Sequence, residues 1–147
     1  MLKIVNGNIF DSDANIICHQ VNTFGIMGGG IALQVKNRFP IVYQEYKDLC
    51  DENKNNNLLG NVLFSYYDEN KMIANCFSQD GWETDYNALR DCLIKVRSNC
   101  QQSIRSVALP YNYGCGIAKG DWNIVYNIIQ EVFENTLIDC VIYKLEQ

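Results

Sequence analysis

The sequence predicts an α/β layered domain built on a mixed sheet, and three observations carry that prediction. Six short apolar runs have strand length, the stretches between them repeat at helical spacing, and two of the strand-to-helix junctions are rich in glycine. The 147 residues, 48% of them hydrophobic and only two of them proline, suffice for one compact body with a substantial core.

In chain order the first strand covers Leu2 to Val5 and the second Ile16 to His19, where β-branched residues lead to the only histidine. Two helices follow over Ile31 to Arg38 and Pro40 to Cys50. Pro40 suits a first helical turn, and the break falls near Phe39. Asp51 to Asn57 is polar and Asn-rich, a solvated loop. Strands at Val62 to Tyr67 and Met72 to Phe77 join through a tight hairpin at Tyr67 to Lys71. Tyr86, Leu89, Leu93, Val96 and Cys100 mark a third helix, with Thr84 or Asp85 as its cap. After a strand at Val107 to Leu109, the residues Val125, Ile128, Ile129, Val132 and Phe133 mark a fourth, capped by Asp121. The last strand is Cys140 to Leu145.

Composition excludes several classes. A net charge of −5 argues against wrapping duplex nucleic acid, whose affinity comes from many cationic side chains. Seven cysteines without C-x-x-C spacing suggest a reducing compartment rather than a disulfide scaffold, and provide no plausible zinc ligand set. The N-terminus enters a strand pattern directly without a signal peptide, and no apolar run approaches about 18 residues. A cytoplasmic monomer that contacts no membrane is expected, with no metal or cofactor.

The residues hardest to explain as structure alone are 18 to 32, where His19 and Asn22 precede the triplet Gly28, Gly29 and Gly30 and a helix start. Exposed N–H groups and the dipole of a helix N-terminus attract anions, so strand, glycine turn and helix make a phosphate cradle. Neither the P-loop nor the dinucleotide fingerprint matches. Leu109 to Trp122 repeats the arrangement, and two such loops at strand ends can grip both sides of one diphosphate.

His19-Gln20-Val21-Asn22 through Met27 to Ala32, the opening Val5-Asn6-Gly7-Asn8-Ile9, and Gly114-Cys115-Gly116-Ile117 with Asp121-Trp122 resemble the macrodomain family. The resemblance spans nearly the whole chain in order, and is closest to the branch typified by terminal ADP-ribose protein glycohydrolase. Arg38-Phe39-Pro40 and Leu58-Leu59-Gly60 are also similar to the fungal ADP-ribose 1″-phosphate phosphatases. It implies one three-layer α/β/α domain over residues 1–147, with a mostly six-stranded mixed sheet and an ADP-ribose pocket.

By the same resemblance, Asn8 stands where the family carries an aspartate for the adenine amino group, and the backbone of Ile9 completes adenine readout. Gly28 to Ile31 (Gly28, Gly29, Gly30, Ile31) lie along one side of the diphosphate, and Gly114, Cys115, Gly116, Ile117 and Ala118 along the other. Asn22 and Gly25 approach the distal ribose, while Met27, Gln79, Pro110, Tyr111 and Tyr113 complete the binding set. Phe24 is a further candidate lining residue.

The chemistry departs from the family. Terminal ADP-ribose glycohydrolases use a lysine and an acid, and those positions fall on Gln79 and Ala118, neither of which is a nucleophile or base. His19, whose ordinary pKa lies near neutrality, and Asp121 are then the candidate catalytic residues, with Asp121 also a natural helix cap. Cys115, between glycines near a helix start, is a weaker candidate nucleophile. The expected function is binding of ADP-ribose or an ADP-ribosylated macromolecule. Hydrolysis of an ester-linked mono-ADP-ribosyl protein or O-acyl-ADP-ribose is expected with it; the alternatives are an ADP-ribose 1″-phosphate phosphatase and a non-catalytic reader.

Overall fold

The computed structural model describes residues 1–101, 104–116 and 118–145. Its elements, in order, are β1 (Leu2–Asn6), a 3-10 turn (Ile9–Asp11), β2 (Ile16–Val21), α1 (Gly30–Arg38), α2 (Pro40–Glu52), β3 (Val62–Asp68) and β4 (Lys71–Phe77). Then come β5 (Gln79–Asp80), β6 (Glu83–Thr84), α3 (Tyr86–Asn99), β7 (Ser106–Pro110), α4 (Trp122–Phe133) and β8 (Asp139–Lys144). The six expected strands and four expected helices are all present, with ends shifted by a few residues.

The main sheet runs β1-β8-β7-β2-β4-β3. Every neighbour pairs parallel except β3 with β4, the hairpin at one edge. Parallel strands need crossovers, so helices cover both faces. Alternation along β2 shows the division: Ile17 and Val21 pack with Val35, Val42 and Tyr46 under α1 and α2. Ile16 and Cys18 pack with Leu89, Leu93, Val125 and Ile129 under α3 and α4. This is the expected three-layer α/β/α arrangement around a mixed six-stranded sheet.

Local chemistry sets the helix limits. Phe39 precedes Pro40, is held at φ −132° and ψ 73°, and separates α1 from α2, as a residue before proline avoids helical geometry. Asp85, not Thr84, caps α3 by accepting from the Ala88 N–H at 2.9 Å. Between β4 and α3 the stretch 79–84 forms the small β5–β6 hairpin, turning at Gly81 with φ +62°. The start of the expected solvated loop, Asp51 and Glu52, belongs to α2. All seven cysteines are free, five of them buried. Among the described residues no helix is long and apolar enough to cross a membrane.

Candidate functional site

Because β1, β8, β7, β2 and β4 are mutually parallel, their carboxyl ends open on one edge of the sheet, where the connecting loops meet. A cavity of about 440 Å³ lies there. Its walls are the ends of β2 and β7, the glycine triplet with the first turn of α1, Gln79 and Trp82 of the small hairpin, and Tyr111 to Gly114 with Gly116 and Ala118.

The glycine triplet meets the cavity as a bare helix start. Gly29 is the cap residue of α1 and supplies no side-chain bond, and the first turn carries no acid. Gly29, Gly30, Ile31 and Ala32 all line the cavity, which places at its wall a first turn whose N–H groups have no partner within the helix. Gly30 has φ +57°, a conformation glycine adopts without strain.

The loop before the triplet is fixed by Asn22 and Tyr46. The Asn22 Oδ1 accepts from the Phe24 N–H at 3.0 Å, and Nδ2 donates to the Ile26 carbonyl at 2.9 Å. The buried Tyr46 hydroxyl lies 2.9 Å from the Asn22 carbonyl and 2.8 Å from its Oδ1. Asn22 therefore lines the cavity with its side-chain amide already engaged in shaping the loop. Gly25 (φ +83°) is buried against Cys50, and Met27 is buried in the core beneath; neither is on the cavity wall.

The second glycine loop closes on itself. The Gly120 N–H donates to the Gly114 carbonyl at 2.9 Å, and a Cβ on Gly120 would stand 2.5 Å from that same oxygen. Gly114, at φ +72°, is crowded by Thr84 and Gln20. Gln20 donates to the Ser78 carbonyl at 3.0 Å and to Thr84 Oγ1 at 3.2 Å, while the Thr84 hydroxyl donates to the Gly114 carbonyl. Gln20 and Thr84 thus tie β2, the small hairpin and the second loop together. Sequence reasoning missed both, because their partners are 64 and 30 residues apart.

Several expected site residues stand elsewhere. Asn8 Oδ1 accepts from the Phe10 N–H at 3.0 Å and caps the 3-10 turn, and neither Asn8 nor the buried Ile9 is on the cavity wall. Asp121 is exposed, caps α4 through the Asn123 N–H at 2.9 Å, and is also off the wall. The Cys115 thiol is pushed up to about 11 by burial and then by the Asp121 carboxylate, opposite to the activation its helix-side position suggested. Ile117 lies outside the described residues. His19, Gly28, Gly29, Gly30, Ile31, Gln79, Pro110, Tyr111, Tyr113, Gly114, Gly116 and Ala118 do share the cavity.

His19 is 1% exposed, and its Nε2 lies 2.7 Å from Asn75 Oδ1 on the neighbouring strand. Burial lowers its pKa from the ordinary 6.5, outweighing the bond to Asn75, so the neutral ring is favoured at pH 7. Among the described residues no carboxylate, amine, guanidinium or thiol lines the cavity. Trp82, which lines the cavity, and Phe24, which does not, are both about half exposed and meet as a tilted pair with ring centres 5.0 Å apart.

The comparisons agree with this architecture. The Macro domain family model matches residues 18–129, and the chain belongs to that family. A DNA ADP-ribosyl glycohydrolase of Thermus aquaticus is 30% identical over 145 residues, covering 91% of this chain but 38% of its own length. An ADP-ribose 1″-phosphate phosphatase of Candida albicans is 26% identical over 133 residues, covering 87% of this chain and 80% of its own length. The solved structure of Thermosipho africanus DarTG in complex with ADP-ribose superimposes with a TM-score of 0.81 at 25% identity, over 96% of this chain and 40% of that one. The chain thus spans well under half the length of the first and third of these proteins.

Proposed function

We propose that this chain binds ADP-ribose in the cavity between its two glycine loops and hydrolyses ADP-ribose conjugates whose leaving group departs readily, an acyl ester on a protein or O-acyl-ADP-ribose. The observation that carries the proposal is the pairing of an uncapped helix start at Gly29 to Ala32 with the closed loop at Gly114 to Gly120 across one 440 Å³ space. Backbone N–H groups on both sides suit a diphosphate, and a volume in the range of roughly 300–1,000 Å³ holds a molecule of nucleotide size. Relatives named for ADP-ribosyl hydrolysis and for ADP-ribose 1″-phosphate dephosphorylation support hydrolysis in outline.

The site residues of the proposal are the two glycine loops, with Asn22, Gln79, Pro110, Tyr111 and Tyr113 around them and His19 as the working base. Asp121 serves α4 as its cap. The absence of amine and carboxylate from the described wall gives a second reading specific support, that of a reader which holds ADP-ribose without cleaving it. Incubation with ester-linked ADP-ribosyl protein and with ADP-ribose 1″-phosphate separates the possibilities. Release of ADP-ribose from the ester alone supports the proposal; phosphate release alone indicates a phosphatase, and neither product indicates a reader.

A further inference from the structure

The buried polar residues behind the cavity form a chain across three strands. Asn75 on β4 sits beside His19 on β2 in the parallel ladder and opposite Leu63 on β3 in the antiparallel one. Its Nδ2 donates to the Leu63 carbonyl at 3.0 Å and to Ser65 Oγ at 3.3 Å. His19, Asn75 and Ser65 are 1%, 0% and 0% exposed.

That chain fixes a proton. A backbone carbonyl only accepts, so the Asn75 atom facing Leu63 is the amide nitrogen, which leaves Oδ1 facing the imidazole. Oδ1 also only accepts, so the ring nitrogen 2.7 Å from it, Nε2, carries the hydrogen. In the neutral ring Nδ1 is then a bare lone pair, and it is buried without a partner among the described residues. A buried acceptor left unpaired costs stability unless something enters to bond it.

We infer that Asn75 is a positioning residue that locks His19 as the Nε2–H tautomer, so that Nδ1 serves the cavity only as an acceptor and base. This rests on the reading of the cavity as an ADP-ribose site. Nδ1 is covered in the free protein, so the step this permits requires ligand binding to open Nδ1 to one water. Nδ1 then takes a proton from that water, whose oxygen bonds to the anomeric carbon of the distal ribose. The bond from that carbon to the ester oxygen breaks, and the carboxylate leaves with the electron pair. The resulting imidazolium returns its proton to solvent. With no carboxylic acid or ammonium group on the described wall to protonate a leaving group, acyl esters are cleaved, and alcohols or amides attached at the anomeric carbon are not.

The test uses the chain's single histidine, whose ring nitrogens give one set of long-range proton–nitrogen NMR signals. In the free protein at pH 7.5, Nε2 should resonate as protonated and Nδ1 as bare; ADP-ribose should then move Nδ1 and leave Nε2 protonated. A protonated Nδ1, or rapid averaging of the two tautomers, overturns the lock. An unmoved Nδ1 in a complex demonstrated by calorimetry overturns the role in the cavity. If calorimetry shows no complex at all, the ADP-ribose reading and the role of His19 in it fall together, while the free-protein spectrum still decides the lock. Asn75→Asp, which keeps an acceptor for Nε2, should retain the tautomer, and Asn75→Leu should lose it. Cleavage of an ADP-ribosyl alcohol as fast as the acyl ester would refute the base-only chemistry.

Discussion

Gly120→Ala tests the closed geometry of the second loop. The added methyl would stand 2.5 Å from the Gly114 carbonyl oxygen, whereas ordinary contact begins at 3.4 Å, and the obstacle is backbone that cannot rotate away. The two ends of the loop must part by about an ångström, which breaks the 2.9 Å bond between the Gly120 N–H and that oxygen. Overpacking of this kind costs about 1–3 kcal/mol and the lost hydrogen bond about 0.5–1.5, offset by about 0.4–1 kcal/mol from a stiffer unfolded chain. A net loss of about 0.5–4 kcal/mol corresponds, for a chain of this size, to a fall in Tm of roughly 2–13 °C. Gly116→Ala in the same loop is the control, since no atom lies within 4 Å of its added Cβ. Thermal unfolding followed by circular dichroism should show the first variant destabilised and the second within about 0.5 kcal/mol of the parent. Equal Tm values for both variants and the parent would refute the close approach of Gly120 to Gly114.

Further outcomes follow from the same geometry. Tyr46→Phe removes the hydroxyl that holds Asn22 and should cost about 1–3 kcal/mol, with weaker ADP-ribose binding by calorimetry; unchanged affinity would separate the loop from the site. Gly29→Glu should weaken ADP-ribose binding at least a hundredfold, about 2.8 kcal/mol, by placing a carboxylate at the bare helix start; an unaltered Kd would show that the diphosphate lies elsewhere. Because burial lowers the pKa of His19, the unfolded chain takes up this proton first as pH falls. Its contribution to stability is therefore level above about pH 6.5 and declines below that until the folded-state pKa is passed. Denaturant unfolding between pH 5 and 8 should show a decline that is smaller in His19→Gln, and identical profiles would contradict the shift. Cys115, with its thiol at about 11, should alkylate far more slowly at pH 7.5 than free cysteine; a rate matching the free thiol would contradict its burial and the influence of Asp121.

The sheet and helices were legible because local pattern and tertiary packing agree. Val125, Ile128, Ile129, Val132 and Phe133 repeat at helical spacing and are all buried on one face of α4. The two glycine loops were legible for a related reason, since clustered glycine is costly unless backbone must come close or turn through positive φ. The small hairpin was not, because two-residue strands of polar residues carry no periodic signal and are held by Gln20, Thr84 and the Ala118 carbonyl far along the chain. Residue type alone also leaves part of the side-chain work hidden. Asn22 has the right chemistry to meet a ribose, and its amide also holds Phe24, Ile26 and Tyr46 in place. Asn75 lies within an apolar strand, and its role shows only when β2, β3 and β4 are laid side by side.

Isothermal titration of the folded protein with ADP-ribose, and in parallel with AMP, bears on the whole scheme. A cavity clamped around a diphosphate between two glycine loops should give a saturable heat with one ADP-ribose per chain, weaker binding of AMP, and loss of the heat in Gly29→Glu. A correctly folded chain that gives no heat with ADP-ribose, or binds it equally well with Gly29→Glu, would contradict it.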